Sequence, residues 1–206
     1  MKNNLWSVES FSEKPIHVVL LVSRKKDNQD IPDFKERRQS FITHKTVREL
    51  LDNEFLHFVQ DGHFGETSRL YYSVNARDPE KIHKQLLHFL IDEPEFNLCS
   101  IQPKLAGIAA QKECALEKKW MFDFDNNDDG LASQFVKDIR KIVPEDAEVI
   151  KYKTPHGFAI VVDKHFDTRE LLDNWHDKGV DVTLKRDDLL CADWWKKVPS
   201  ELEDII

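Results

Sequence analysis

The segment Trp120-Met-Phe-Asp-Phe-Asp125 has the alternation expected of a β-strand that is buried on one face. Successive side chains of a strand point to opposite faces, so Phe122 and Phe124 share one face while Asp123 and Asp125 share the other. The aromatic face predicts contact with a hydrophobic core. Two carboxylates therefore remain together on the second face of the same strand.

The chain after this strand has elements in a recognisable order. The sequence predicts a helix, two strands joined by the turn Thr154-Pro-His-Gly157, a second helix and a last strand, over residues 130–143, 148–153, 158–163, 167–178 and 180–184. Strand, helix, strand, strand, helix, strand is the order of a ferredoxin-like or RRM-like sheet. That topology predicts the spatial order fourth, first, third, second, with all neighbouring strands antiparallel.

The sequence before residue 119 predicts a second, N-terminal α/β unit. Strands are expected at 16–23 and 69–75, and helices at 46–59, from Asp78-Pro79-Glu80 onward, and at 105–118. The predicted fold class is therefore α+β. We divide the chain into an N-terminal α/β unit with a basic segment, residues 1–118, and an RRM-like unit with a C-terminal tail, residues 119–206.

The composition limits the classes of partner. The 206-residue chain carries 30 Lys and Arg against 38 Asp and Glu, a formal net charge of −8. Such a mean field repels phosphates and argues against indiscriminate binding to nucleic acid or to an anionic membrane. No apolar run approaches a membrane span and no secretory signal is visible, so we expect a cytoplasmic protein. The segment 24–48 is locally basic, with eight Lys and Arg against four acids.

The predicted sheet brings a third acid to the first two. Its last strand would run antiparallel beside 119–125, which places Asp181 next to Asp123 and Asp125, with His156 and Ala159 bordering the acids. Three carboxylates on one open sheet face repel each other unless a cation joins them. Oxygen ligands favour Mg²⁺ or Mn²⁺, so these residues predict a divalent metal site. The alternative is that Asp123 and Asp125 are an exposed pair at the edge of the sheet and that Asp181 is a solvated surface charge.

Basic residues near this face are candidate contacts for phosphate. Arginine binds phosphate oxygens through two N–H groups at once, and lysine supplies a point charge. His156 is either a polar turn residue or a phosphate or catalytic contact. The candidates for phosphate binding are Arg24, Lys25, Arg69, Lys153 and Lys185.

At these residues the sequence resembles the archaeo-eukaryotic primase and primase-polymerase superfamily, particularly its small divergent members in phages and mobile elements. Phe122-Asp-Phe-Asp125 matches the first motif of the family, and Val180-Asp181 matches the third. The second motif corresponds to Lys153-Thr-Pro-His-Gly-Phe-Ala159, but Ala159 stands at the position of the family's histidine and His156 lies three residues earlier. The resemblance covers residues 119–185.

The resemblance implies a nucleotidyltransferase active in DNA replication in a bacterial or phage-infected cytoplasm. Such an enzyme would act on nucleoside triphosphates along a single-stranded template. The catalytic residues would be Asp123, Asp125, Asp181 and His156, and the three aspartates would bind Mg²⁺ or Mn²⁺.

Two alternatives remain open. Met121-Phe-Asp-Phe-Asp-Asn126 also looks like the start of a haloacid dehalogenase-like phosphatase, with Asp123 as nucleophile, Asp125 as acid/base and Asp187-Asp188 as a later motif. That reading requires a parallel sheet. The second alternative is a non-catalytic module with a degenerate primase-like fold that binds nucleotides, nucleic acid or a protein partner; Ala159 and the acidic balance favour it.

Overall fold

The computed structural model describes residues 15–198, which form two four-stranded antiparallel sheets with helices around them. The strands are β1 His17–Ser23, β2 Arg37–Thr43, β3 Thr67–Ser73, β4 Trp120–Phe124, β5 Val149–Thr154, β6 Gly157–Val162, β7 Val182–Lys185 and β8 Leu189–Lys196. The helices are α1 Val47–Leu50 and α2 Leu56–Gln60, joined by the π-helical turn Leu51–Phe55, then α3 Pro79–Asp92, α4 Ile101–Ala109, α5 Asp129–Arg140 and α6 Arg169–Asp177. The α+β fold class is confirmed.

The second sheet has the order β5-β6-β4-β7, and each neighbouring pair is antiparallel. Read from its other edge, this is the predicted order fourth, first, third, second. Phe122 and Phe124 are fully buried in a core that includes Phe135 of α5 and Trp175 of α6. The alternation of β4 is therefore confirmed, because one face packs on helices and the other carries the aspartates.

The first sheet has the order β2-β1-β3-β8. One face packs against α1 and α2 through Leu50, Phe55 and Phe58, and the opposite face packs against α3 and α4. Helix α1 begins with a capping box, in which Thr46 and Glu49 bond to each other's backbone N–H groups. Asp78 caps α3 in the predicted way.

The helix predicted over 105–118 is wrong in its bounds, because α4 ends at Ala109. Beyond Gln111 the backbone turns, and Leu116 N donates to Ala76 O while Ala115 forms a β-bridge with Arg77. Pairing with this extended segment replaces the continuation of the helix.

The strand β8 lies in the first sheet although it follows the second unit in sequence. It pairs along β3 from Thr67↔Lys196 to Ser73↔Leu189. Trp195 contacts Phe55 at 5.0 Å between ring centroids, so it closes the core of the first unit. The predicted boundary after residue 118 therefore lies between β3 and β4, but β8, within the predicted tail, is hydrogen-bonded to the N-terminal unit.

The second sheet turns its aspartate-bearing face toward the first sheet. Met121, Ala159 and Val161 on this face pack against Val74 and Leu190. The open sheet face expected from the sequence is thus partly covered, and the acids lie in a cleft between two sheets. Within residues 15–198 no helix is both long and apolar enough to cross a lipid bilayer.

Candidate functional site

A cavity of about 280 Å³ lies beside the contact between the two sheets. Six of the residues predicted for the site line it. Three lie in β3, β4 and β7, and the other three in the segments that follow β1, β4 and β5. The six are Arg24, Arg69, Asp123, Asp125, His156 and Lys185. The cavity therefore has acids and cations within one small volume.

The acidic wall comes from β4. Asp123 pairs across the sheet with Ala159 of β6 on one side and with Thr183 of β7 on the other. Asp125 N donates to Asp181 O at 3.1 Å, which extends the β4–β7 ladder by one residue. Burial, together with the charges of Asp123 and Asp181, raises the pKa of the Asp125 carboxyl above its ordinary value.

Lys185 supplies a cation to these acids. Its Nζ lies 2.9 Å from Asp123 Oδ2 and 3.6 Å from Asp188 Oδ2. Burial alone would lower the pKa of Lys185, but the hydrogen bond and attraction to Asp123, with a contribution from Asp188, outweigh it and raise the pKa. Lys185 was predicted from the sequence as a phosphate contact. In the structure, Lys185 also neutralises the charge of Asp123.

Two of the three carboxylates predicted to bind a divalent cation are placed to do so. Among residues 15–198 no three His, Cys, Asp or Glu side chains are arranged to hold a metal ion, and Asp181 does not line the cavity. Asp123 and Asp125 do line it together. Mg²⁺ is commonly held by one or two carboxylates, with water and substrate phosphates completing its octahedron. The pair therefore suits an ion that arrives with its substrate.

The opposite wall is cationic and is organised around Asp27. Asp27 Oδ2 accepts from Arg24 Nε at 2.8 Å, and Asp27 Oδ1 accepts from Arg69 Nη2 at 2.6 Å. The side chains of Asp27 and Arg69 are each only 6% exposed. Burial would raise the pKa of Asp27, but hydrogen bonds from Arg24 and Arg69 and their charges hold it below its ordinary value.

His156 connects the two sheets across the cavity mouth. Its Nε2 lies 2.9 Å from Arg69 Nη2. Arginine can only donate, so Nε2 of the imidazole is the acceptor of this hydrogen bond. The turn Thr154-Pro-His-Gly157 thus aims its histidine at the arginine of β3.

Ala159 also lines the cavity, next to the aspartate that it faces across the ladder. The position of the family's histidine is therefore at the site, but a methyl group there cannot donate to a phosphate. His156 approaches the same cavity from the preceding turn.

Two predicted phosphate contacts lie elsewhere. Lys153 Nζ donates to Asn127 Oδ1 and sits 4.2 Å from the ring centroid of Phe158, on the helix-covered side of the sheet. Lys25 is exposed on the turn after β1 and does not line the cavity. In a strand, neighbouring residues alternate faces, which is why Lys153 turns away while Thr154 lines the cavity.

Other residues of the site were not predicted from the sequence. Asp27 does not line the cavity but bonds to Arg24 and Arg69, which do. It carried a signal, because an acid three residues after Arg24 can pair with it within one turn. Tyr71 of β3 and Cys191 of β8 meet as cross-strand partners beside the cavity. Burial raises the pKa of the Cys191 thiol to about 11, which disfavours the thiolate, the form that acts as a nucleophile.

A second cavity, of about 350 Å³, lies elsewhere between the sheets. Its lining is largely apolar and includes His17 stacked on Tyr72, with centroids 4.3 Å apart. None of the predicted site residues lines it, so it does not compete with the first cavity for the chemistry described above.

No protein-family model, curated protein or solved structure gives a significant match to this chain.

Proposed function

We propose that the protein is a divalent-metal-dependent nucleotidyltransferase that binds a nucleoside triphosphate in the cavity between the sheets, as its resemblance to primase-polymerases implies. The observation that supports this is the opposition of Asp123 and Asp125 to Arg24 and Arg69 across about 280 Å³. A triphosphate with its metal ion is a ligand that needs both, because carboxylates hold the ion and arginines bind the phosphate oxygens.

The residues of the cationic wall would bind the phosphates, and those of the acidic wall would hold the metal ion. Arg69 and Arg24 bind phosphate oxygens and orient the chain of phosphates, while His156 donates from the turn once it leaves Arg69. Asp123 and Asp125 would hold Mg²⁺ or Mn²⁺, and Asp181 adds negative charge nearby. When bound, the ion would lower the pKa of an attacking 3′-hydroxyl and stabilise the leaving pyrophosphate.

Lys185 exchanges partners in this proposal. In the structure its Nζ neutralises Asp123, and it would become free to contact a phosphate if Asp123 instead held the divalent cation. Replacing Lys185 with Gln should therefore tighten Mn²⁺ binding to the nucleotide-free protein several-fold and weaken binding of the nucleotide.

The experiment is primer synthesis and extension with labelled NTPs and dNTPs on a single-stranded template, with Mg²⁺ or Mn²⁺. Asp123→Ala should reduce incorporation about a thousandfold, since metal-based stabilisation is worth several kcal/mol. Asp173→Ala, an exposed carboxylate on α6, is the matched control and should leave incorporation unchanged. Incorporation that survives Asp123→Ala would overturn the site assignment.

A non-catalytic nucleotide-binding module is the second candidate, and the Lys185–Asp123 pair together with Ala159 favours it. Its signature is nucleotide binding without incorporation and without dependence on metal. The phosphatase alternative requires a parallel sheet, whereas both sheets of residues 15–198 are antiparallel. Hydrolysis of p-nitrophenyl phosphate is the control for that activity.

The proposed substrates agree with a cytoplasmic location, where nucleoside triphosphates and single-stranded templates are available. A template or protein partner would have to approach this acidic chain through a local basic surface, since its net charge of −8 repels phosphates at a distance.

A further inference from the structure

We infer that Asp27 is a positioning residue that holds Arg24 and Arg69 as a preformed, metal-independent site for the pyrophosphate portion of the substrate. This inference rests on the proposed function and deepens it. Nothing in the sequence motifs assigns a role to Asp27, which lies outside the segment that resembles primase-polymerases.

The geometry around Asp27 is fixed by the backbone of two elements. Asn28 is 3% exposed; its Nδ2 donates to Arg24 O and Thr67 O, and its Oδ1 accepts from Thr67 N. These bonds tie the turn after β1 to the start of β3. Asp27 is consequently held beside Arg69, two residues along that strand.

Asp27 leaves each arginine with donors to spare. Arg69 Nη2 bonds to Asp27 and to His156, but Arg69 Nε is buried without a hydrogen-bond partner among residues 15–198. Arg69 is 5% exposed and lines the cavity. A buried N–H without a partner is unfavourable, so Arg69 retains unused donor capacity beside the cavity that it lines.

The chemistry of the wall selects a polyanion. Two guanidinium groups beside one carboxylate leave a net positive charge, and guanidinium binds phosphate oxygens in a planar, two-pronged way. The Arg24 side chain is 26% exposed, so a ligand can reach it where Asp27 holds it, while Arg69 is buried. Asp27 fixes that orientation before the ligand arrives, which reduces the entropy lost on binding.

The test uses a variant for which electrostatics and positioning predict opposite changes in phosphate affinity. Removing a carboxylate beside an anion site raises the local positive potential, so electrostatics alone predicts that Asp27→Asn binds phosphate more tightly. Loss of positioning predicts the reverse. Titration calorimetry of the full chain with inorganic pyrophosphate, in the presence of a chelator, measures the dissociation constant without any metal.

We expect Asp27→Asn to weaken pyrophosphate binding at least tenfold, and Asp30→Asn, an exposed acid in the same segment, to leave it unchanged or slightly tighter. Each variant is measured below its own melting temperature. If Asp27→Asn does not fold, Asp27→Glu replaces it, because it keeps the charge but moves the carboxylate by one methylene. It should bind several-fold more weakly, and binding equal to that of the wild-type protein would show that charge alone matters.

Three results would overturn the inference: tighter or unchanged binding in Asp27→Asn, unchanged binding in Asp27→Glu, or wild-type protein that does not bind pyrophosphate without metal. Failure of the proposed function is distinguishable. A wild-type protein that binds pyrophosphate through Asp27-held arginines but incorporates no nucleotide retains the positioning role and loses only the catalytic one.

Discussion

Arg69 Nη2 and His156 Nε2 lie 2.9 Å apart although Arg69 belongs to the first sheet and His156 to a turn of the second. This bond and the apolar contact of Met121 with the facing sheet define a cleft whose two walls come from different halves of the chain. The cleft depends on both sheets, so a substitution in either wall should alter ligand binding.

His156 should matter for binding and hardly for stability. Its side chain is 62% exposed, so His156→Ala is expected to change the free energy of unfolding by no more than about 0.5 kcal/mol. Loss of one hydrogen bond to a charged phosphate should weaken nucleotide binding about tenfold. Calorimetry and thermal melts measure the two effects. His83→Ala, on the exposed side of α3, should alter neither.

Asp125 should show a conflict between stability and function. Burial and the charges of Asp123 and Asp181 raise its pKa, so its ionisation opposes folding at pH values above that raised pKa and has no effect well below the unfolded value. Asp125→Asn should stabilise the metal-free protein at pH 7, by at most about 0.5 kcal/mol because the group is exposed.

The proposed function predicts that Mn²⁺ with a nucleotide raises the melting temperature of the wild-type protein, and Asp125→Asn should lose that rise. The stability gain should disappear in melts at acid pH. A lower melting temperature for Asp125→Asn at pH 7 would contradict the electrostatic account.

Glu66 predicts acid sensitivity of the first unit. It is 1% exposed and accepts from Arg37 Nε at 2.9 Å and from His63 N at 2.7 Å. Burial would raise its pKa, but hydrogen bonds from Ser23, His63 and Arg37 lower it. A lowered carboxyl pKa contributes stability above the unfolded value, about 4.3, and this contribution is lost as pH falls through the folded value.

Glu66→Gln should therefore reduce the free energy of unfolding at pH 7 by about 2 kcal/mol and show a smaller further loss on acidification than the wild-type protein. Urea denaturation at a series of pH values measures this. Glu95→Gln, in an exposed loop, is the control and should follow the wild-type curve.

Gly157 should tolerate no side chain. A Cβ there would lie 2.0 Å from Phe124 O and 3.0 Å from Asn126 N, both backbone atoms next to Asp125. Gly157→Ala should cost about 3 kcal/mol or more and shift the aspartates, so nucleotide binding should fall even where the protein stays folded. Gly107→Ala, in α4 with nothing within 4 Å of its Cβ, should be neutral or stabilising. Equal melting temperatures for the two variants would contradict this packing.

Local sequence was sufficient for the second sheet. Strict alternation around Phe122 and Phe124, a turn with proline and glycine, and two amphipathic helices specify a βαββαβ unit because each element must bury one face. The grouping of Asp123 with Asp125 follows from strand periodicity alone. The closeness of Asp181 follows from the antiparallel order that the topology imposes.

Tertiary structure decided what surrounds those acids. No periodicity reveals that β8 joins β3 across the chain, or that the aspartate face is turned toward another sheet, since both depend on which apolar surfaces meet after the elements have formed. The same packing pairs Lys185 with Asp123 and Asp27 with Arg69, and turns Lys153 away. The sequence determined which residues share a face, because that is set by local backbone geometry; only the folded chain determined which charges meet across the cleft, because that depends on contacts between residues far apart in sequence.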